Sequence, residues 1–361
     1  MKILKLHGHK RNTGGVVNFQ KSLESFNAQS EHVYLHFRTG RVQFSALLRN
    51  KYIRVFDQLF SYFWFPIYLL LHRPDIVEIN SSLVPLAFRR DYIYSLLIKM
   101  VLPDSKLLLF NHGWDSEFWC ELISGDGQEK LYKYFDRFDH FFVLTNAAKL
   151  EIESVNSNAR VSIVTTGVDT LKYLGCRSTE AGADALTVLF LSRLEKEKGI
   201  GELLEVIPFV VDRYPTISFL IAGSGAYQER MKCHSSLDRC GNNIKFVGYL
   251  LGEDKLDAFR CADIYVFPSY SEGCPVSVLE ALASGLPIIY TPVGALQEIM
   301  VSGENGLEVP VRSAKALADA LISLASDADL RKLMAKKNIE LSKKFDLAAV
   351  HSKLERIYAQ I

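Results

Sequence analysis

Two carboxylates, Glu272 and Glu280, stand eight positions apart in the string EGCPVSVLE. The string follows a strand-like run, Ile264–Pro268, and its apolar residues from Val276 to Ser284 predict a helix. The first acid then sits in the loop and the second inside the helix. They cannot share one small atom, but they can hold separate hydroxyls of an elongated ligand. The start of such a helix, approached through Gly273, Cys274, Pro275 and Val276, offers unpaired N–H groups and partial positive charge. Diphosphate oxygens and sugar hydroxyls suit that place. Two cations, Arg193 and Lys198, follow another strand-like run, Leu186–Ser192. Cations at a strand's carboxyl end can neutralise charge that grows on a departing diphosphate. Each feature alone has a plainer reading, as a loop acid, a solvated helix acid or surface cations. Their presence together favours the ligand.

The first half of the chain offers further candidates. Gly14 and Gly15 lie between the first strand-like run and a helix-like segment, and they permit close backbone approach to a phosphate. A double glycine by itself is usually only a turn. His112 closes a third strand-like run in FNHGWD, with Asp115 placed to orient it or to bind a hydroxyl. A lone histidine is more often structural, but strand ends are where sites gather. In the second half, Gly223 and Gly225 follow a strand in IAGSG, and Tyr249 and Leu250 follow another in VGYL. Gly-x-Gly alone is weak evidence, because many nucleotide-binding folds contain it.

The EGCPVSVLE string, followed by ALASGLPI, resembles the family 4 (group 1) glycosyltransferases. RLEKEKG (193–199), the Gly14–Gly15 turn, HGWD (112–115), FFVLTNAAK (141–149) and TTGVD (165–169) are similar to further elements of that family. The resemblance implies that Glu272 contacts a donor sugar and Glu280 the ribose hydroxyls. It implies that the Gly273–Val276 backbone meets sugar and diphosphate, and that Arg193 and Lys198 clamp the diphosphate. His112 lies against the sugar, Gly223 and Gly225 near the nucleotide, and Tyr249 and Leu250 beside the base. Catalytic roles then fall to Glu272, His112, Arg193 and Lys198. Three residues depart from the pattern: Ser192 replaces a common glycine, Thr166 an asparagine, and Asn18 the polar residue usual there. The likeness is specific over 186–310 and looser over 1–110.

The elements that must position these residues alternate between strand-like and helix-like runs, which argues for βαβ units and parallel sheets. Lys2–Leu6, Ile76–Ile79, Lys106–Phe110, Phe141–Leu144 and Val161–Val164 read as strands of a first domain. Leu186–Ser192, Ile217–Ala222, Ile244–Val247, Ile264–Pro268 and Pro287–Tyr290 read as strands of a second. The boundary falls in Thr170–Ala185, rich in small and polar residues. The expected organisation is an acceptor-binding domain over 1–169 and a donor-binding domain over 170–345. A terminal helix over 346–361 is expected to pack back toward the first domain. The implied fold class is α/β of the GT-B type: two Rossmann-like domains whose parallel sheets face a deep interdomain cleft.

The implied reaction moves a hexose or related sugar from a nucleotide-diphosphate donor, UDP ahead of GDP. The acceptor is a glycan or lipid-linked glycan, as in surface polysaccharide or lipopolysaccharide synthesis. Retention of configuration and no metal or other cofactor are implied too. The rival readings on the same fold are a nucleotide-sugar epimerase and a catalytically silent sugar-nucleotide-binding module. An NAD-dependent oxidoreductase wants G-x-G-x-x-G after the first strand, where this chain has the double glycine.

The chain has 361 residues, enough for two domains, with 48% apolar residues and a net charge of +1. That balance hides an asymmetry. Residues 1–100 carry 14 Lys and Arg against 6 Asp and Glu, whereas 169–361 carry 22 against 25. A basic front favours phosphates or anionic lipid, and no nucleic-acid motif accompanies it. Six scattered cysteines show no zinc spacing and suit a reducing, cytoplasmic setting. The N-terminus reads as a strand and not as a signal peptide. Leu59–Leu71 (LFSYFWFPIYLLL) is too short to span a bilayer and is interrupted by Pro66. It reads either as a buried helix or as a surface that dips into an anionic membrane. Lys51, Arg54, Arg73, Arg89 and Arg90 stand nearby for the second reading.

Overall fold

The computed structural model describes residues 1–8, 15–39, 51–124, 127–174, 186–232 and 234–361. Two compact units emerge: Met1–Thr166 together with Val350–Ile361, and Gly167–Ala349.

The first unit is built on six parallel strands: β1 (Lys2–His7), β2 (Val33–Arg38), β3 (Ile76–Leu83), β4 (Lys106–Trp114), β5 (His140–Val143) and β6 (Val161–Ile163). Their order is β2-β1-β3-β4-β5-β6. Helices cover both faces, so the central strands read as nearly unbroken apolar runs. Ile3, Leu4 and Leu6 of β1 and Leu107, Leu108 and Phe110 of β4 are all fully buried. Two charges break the rule. Lys5 in β1 and Glu78 in β3 are buried side by side, 3.8 Å apart. The closing helix, Leu347–Tyr358, brings Leu354 and Tyr358 into this unit, both buried.

The second unit repeats the plan with β7 (Thr187–Leu191), β8 (Ser218–Ala222), β9 (Ile244–Gly248), β10 (Ile264–Phe267), β11 (Ile288–Tyr290) and β12 (Gly306–Glu308). The order β12-β11-β10-β7-β8-β9 is again parallel throughout. One apolar cluster joins Val188, Phe190 and Phe219 to helices Ile200–Arg213 and Ala314–Ser326. A second joins Leu189, Tyr265 and Ile288 to helix Val276–Ala283. In each sheet the chain builds outward in one direction and then returns to the other side of its first strand. The reversal falls between β1 and β3 in the first unit and between β7 and β10 in the second. Such switch points open a crevice at the carboxyl ends of the strands.

Three expectations need correction or addition. Strands β2 and β12 carry no clear sequence signal. Both lie at sheet edges; β2 is only partly buried and β12 is three residues long. Pro66 does not interrupt its segment, because one helix runs from Lys51 to His72 with Pro66 inside it. Most of Leu59–Leu71 is also not buried. Only Ser61, Phe65 and Leu69 are buried there, while Leu59, Phe60, Phe63, Trp64, Ile67, Leu70 and Leu71 are exposed. Among the described residues no helix is long and apolar enough to cross a membrane.

Candidate active site

The switch point of the second unit is where the expected chemistry collects. After β7 the chain passes Ser192 and Arg193 into a short 3-10 turn, Lys196–Lys198, and leaves it at Gly199 with φ 71°. A Cβ at Gly199 would fall 2.2 Å from the carbonyl oxygen of Pro268, which follows β10. The two loops therefore lie against each other, and Tyr270 N donates to Glu197 O across the seam at 2.8 Å. This contact delivers Lys198 to Glu272. Lys198 Nζ lies 2.5 Å from Glu272 Oε1, with the side chains 10% and 17% exposed. Ser269 Oγ donates to the same oxygen at 3.0 Å.

Glu280 sits one helix farther in. Helix Val276–Ala283 begins after Pro275, whose side chain caps no N–H. Glu280 Oε1 pairs with Lys255 Nζ at 2.6 Å. Its other oxygen, Oε2, is buried and accepts no hydrogen bond among the described residues. A buried carboxylate oxygen without a donor is costly and rare.

Arg193 is placed differently. It is 64% exposed and pairs with Glu195 at 2.9 Å, outside the Lys198–Glu272 contact. Gly223, with φ 144°, explains how its loop is held: a Cβ there would overlap Ser192 O at 1.8 Å. Two residues on, Gly225 flanks the same seam, where Leu194 N donates to Ser224 O at 3.0 Å. Tyr249 is half exposed beyond β9, while Leu250 and Cys274 pack against the apolar cluster beneath. Gly273 O accepts from Ala295 N at 2.8 Å, which fixes the approach to the helix.

In the first unit Gly14 lies outside the described residues, and Gly15 opens the helix Gly15–Asn27. His112, near the end of β4, is 8% exposed and stacks on Phe110 with ring centroids 4.0 Å apart. Its Nε2 lies 2.8 Å from Asn80 Oδ1. Burial, reinforced by the charge of Lys5, holds the imidazole's pKa down to about 3. His112 is therefore a neutral hydrogen-bonding group at ordinary pH and not a titrating acid or base. Asp115 does not orient it. Asp115 caps the helix Ser116–Ile123, accepting from Phe118 N at 3.0 Å.

Lys255, Ser269 and Asn80 are partners that sequence reasoning missed. A buried acid needs a donor nearby, but nothing in the spacing names Lys255, which comes from the separate helix Gly252–Arg260. Asn80 left a faint signal, as a polar residue directly after the apolar run Ile76–Ile79.

Residues 177–341 match the family model of the group 1 glycosyl transferases. The chain is 33% identical over 218 residues to a D-inositol 3-phosphate glycosyltransferase from Corynebacterium urealyticum, covering 55% of this chain and 51% of that one. It is 31% identical over 177 residues to a phosphatidyl-myo-inositol mannosyltransferase from Mycobacterium leprae, covering 48% of this chain and 46% of that one. The chain thus spans about half the length of the curated relatives it matches. A sucrose-phosphate synthase from Thermosynechococcus elongatus superposes with a TM-score of 0.79 at 18% identity, covering 100% of this chain and 99% of that one. Anabaena HepE, solved in complex with UDP-glucose, gives 0.73 at 16% identity over 100% of both chains. These likenesses establish the fold, two Rossmann-like domains of the GT-B class.

Proposed function

We propose, from the match of residues 177–341 to the family model of the group 1 glycosyl transferases, that the chain moves a sugar from a nucleotide-diphosphate donor to a glycan or lipid-linked glycan. The observation that carries this reading is the Lys198–Glu272 pair at the switch point, with the unpartnered Glu280 Oε2 one helix away. A cation at the strand end meets the diphosphate, Glu272 orients the sugar, and Glu280 receives ribose hydroxyls. Arg193, free to swing out of its exposed pair with Glu195, adds a second charge as the bond to the leaving group lengthens. A leaving phosphate oxygen takes the acceptor's proton on the same face, so configuration is retained without a metal. Gly14 and Gly15 are assigned to phosphate contact on the family pattern. UDP is the first donor base to test, since HepE was solved with UDP and UDP-glucose.

Thermal-shift titration with UDP, GDP and ADP, then with their hexose conjugates, tests the donor. A ligand held by the folded state raises the melting midpoint as its concentration passes its Kd. Transfer to a glycan acceptor in the presence of chelator tests the rest. An isomerised donor without acceptor points to an epimerase, and binding without turnover to a silent module.

The helix Lys51–His72 supports a membrane setting for the acceptor. Every exposed residue described from Val55 to Leu71 is apolar, including Phe56 at 69%, Phe63 at 72% and Leu71 at 69% exposure. The adjacent helix Pro85–Val101 adds exposed Leu86, Ile93, Leu96 and Met100. Contiguous apolar surface of this kind marks an interaction site. Exposed Arg73 directly follows the first helix and exposed Arg89 stands on the second, and the surplus of cations in residues 1–100 complements an anionic lipid surface. These features support the reading of a peripheral protein on the face of a cytoplasmic membrane, at work in surface-glycan synthesis. Flotation with phosphatidylglycerol-containing vesicles tests this. Binding should vanish with Phe63→Glu and weaken in salt. Absence of binding by the parent chain, or dimerisation through this face, overturns it.

A further inference from the structure

A buried polar chain leads from the closing helix to His112, all within the first unit. Tyr358 donates its hydroxyl to Glu78 Oε2, and Asn80 Nδ2 donates to Glu78 Oε1 at 2.8 Å. Asn80 Oδ1 then faces two groups, Gln20 Nε2 at 2.7 Å and His112 Nε2 at 2.8 Å. Glu78 and Tyr358 are fully buried, and Asn80, Gln20 and Lys5 are each under 5% exposed.

The chemistry of each group fixes the next. Glu78 Oε1, which also faces Lys5 Nζ at 3.8 Å, accepts from the amide nitrogen of Asn80. That turns the Asn80 carbonyl toward His112, and a carbonyl also only accepts. His112 must then carry its proton on Nε2, and Nδ1 keeps a bare lone pair. The imidazole's depressed pKa agrees with a neutral ring. His112 Nδ1 is buried and has no partner among the described residues, and the same holds for Oε1 of Gln20, whose nitrogen is bound to Asn80. Two orphaned acceptors, both held by Asn80, therefore occur at the carboxyl ends of β3 and β4, beside the switch point of this sheet.

We propose that Asn80 is a positioning residue that fixes the Nε2–H tautomer of His112, so that Nδ1 can accept a hydrogen bond from a carbohydrate hydroxyl. This rests on the sugar-transfer reading for the identity of the ligand. The tautomer itself does not.

Nitrogen-15 NMR of histidine-labelled full-length protein reads the tautomer directly. Nδ1 of His112, assigned by loss of its signals in His112→Gln, should have the shift of an unprotonated nitrogen and Nε2 that of a protonated one. A protonated Nδ1 in the parent chain overturns the proposal, whether or not the protein transfers sugar. Asn80→Ala should let the tautomers mix. It should lower kcat/KM for a nucleotide sugar by roughly tenfold, the worth of one hydrogen bond, with little change in nucleoside-diphosphate affinity. An equal loss of nucleotide affinity, or an unchanged tautomer in Asn80→Ala, overturns it. Absence of transfer by the parent chain would defeat the sugar-transfer reading while leaving the tautomer result to stand alone. If Asn80→Ala does not fold, the parent spectrum still decides.

Discussion

Lys198 and Arg193 are both cations after β7, yet they should behave differently when removed. Lys198 is nearly buried against Glu272. Lys198→Ala leaves that carboxylate with only the Ser269 hydroxyl to offset its desolvation, at a cost of about 1–3 kcal/mol once its partial exposure is allowed for. Turnover should also fall by orders of magnitude. Arg193→Ala should cut turnover comparably with almost no change in the urea midpoint, because its pair with Glu195 is mostly in solvent. Parallel kinetics and urea denaturation check both. His112 gives a pH prediction. Its folded pKa, about 3, lies below the ordinary 6.5. Between these values the unfolded chain binds more protons, so stability falls as pH drops through that window. His140, held down to about 4, adds to the same trend. His112→Gln should flatten the dependence by up to about one proton, measured as the slope of unfolding free energy against pH. No limb near 6.5 in kcat/KM should trace to His112. At this scale Glu272 and Glu280 stood out because one dense string carries them, and Lys198 because it follows a strand-like run in a second string. Lys255 and Asn80 were not, because their pairings depend on where separate elements meet.

The elements were legible where burial is two-sided. β4, β7 and β10 carry continuous apolar runs, Leu107–Phe110, Val188–Leu191 and Ile264–Phe267, of the kind a covered parallel sheet uses. The edge strands escaped because half-exposed backbone dilutes that pattern. The helix Lys51–His72 shows a different ambiguity. A run that is apolar nearly all round can face a core or a partner, and composition does not say which. The loop between β8 and the next helix carries its own prediction. At Gly223 any Cβ meets Ser192 O, and φ of 144° disfavours side chains as well. Gly223→Ala should shift the loop after β7, costing about 1–3 kcal/mol by thermal denaturation and displacing Arg193 enough to lower kcat/KM.

Over the whole molecule, the alternation of strand and helix announced two similar α/β halves, and the strand order within each had to come from the structure. The closing segment shows why. Val350–Ile361 belongs with the first unit although the second lies between them in sequence. Removing residues 350–361 should strip Glu78 of its tyrosine partner and lower amide-exchange protection in β1 and β3, with β7 and β10 much less affected. Exchange measured strand by strand distinguishes this from general unfolding.

The bond from Tyr358 to Glu78 joins residues 280 positions apart. During translation the first sheet emerges from the ribosome long before that hydroxyl exists. Until residue 358 has been added, Glu78 has Asn80 and Lys5 as its partners among the described residues. Completion of the first unit therefore depends on residues synthesised after the whole of the second.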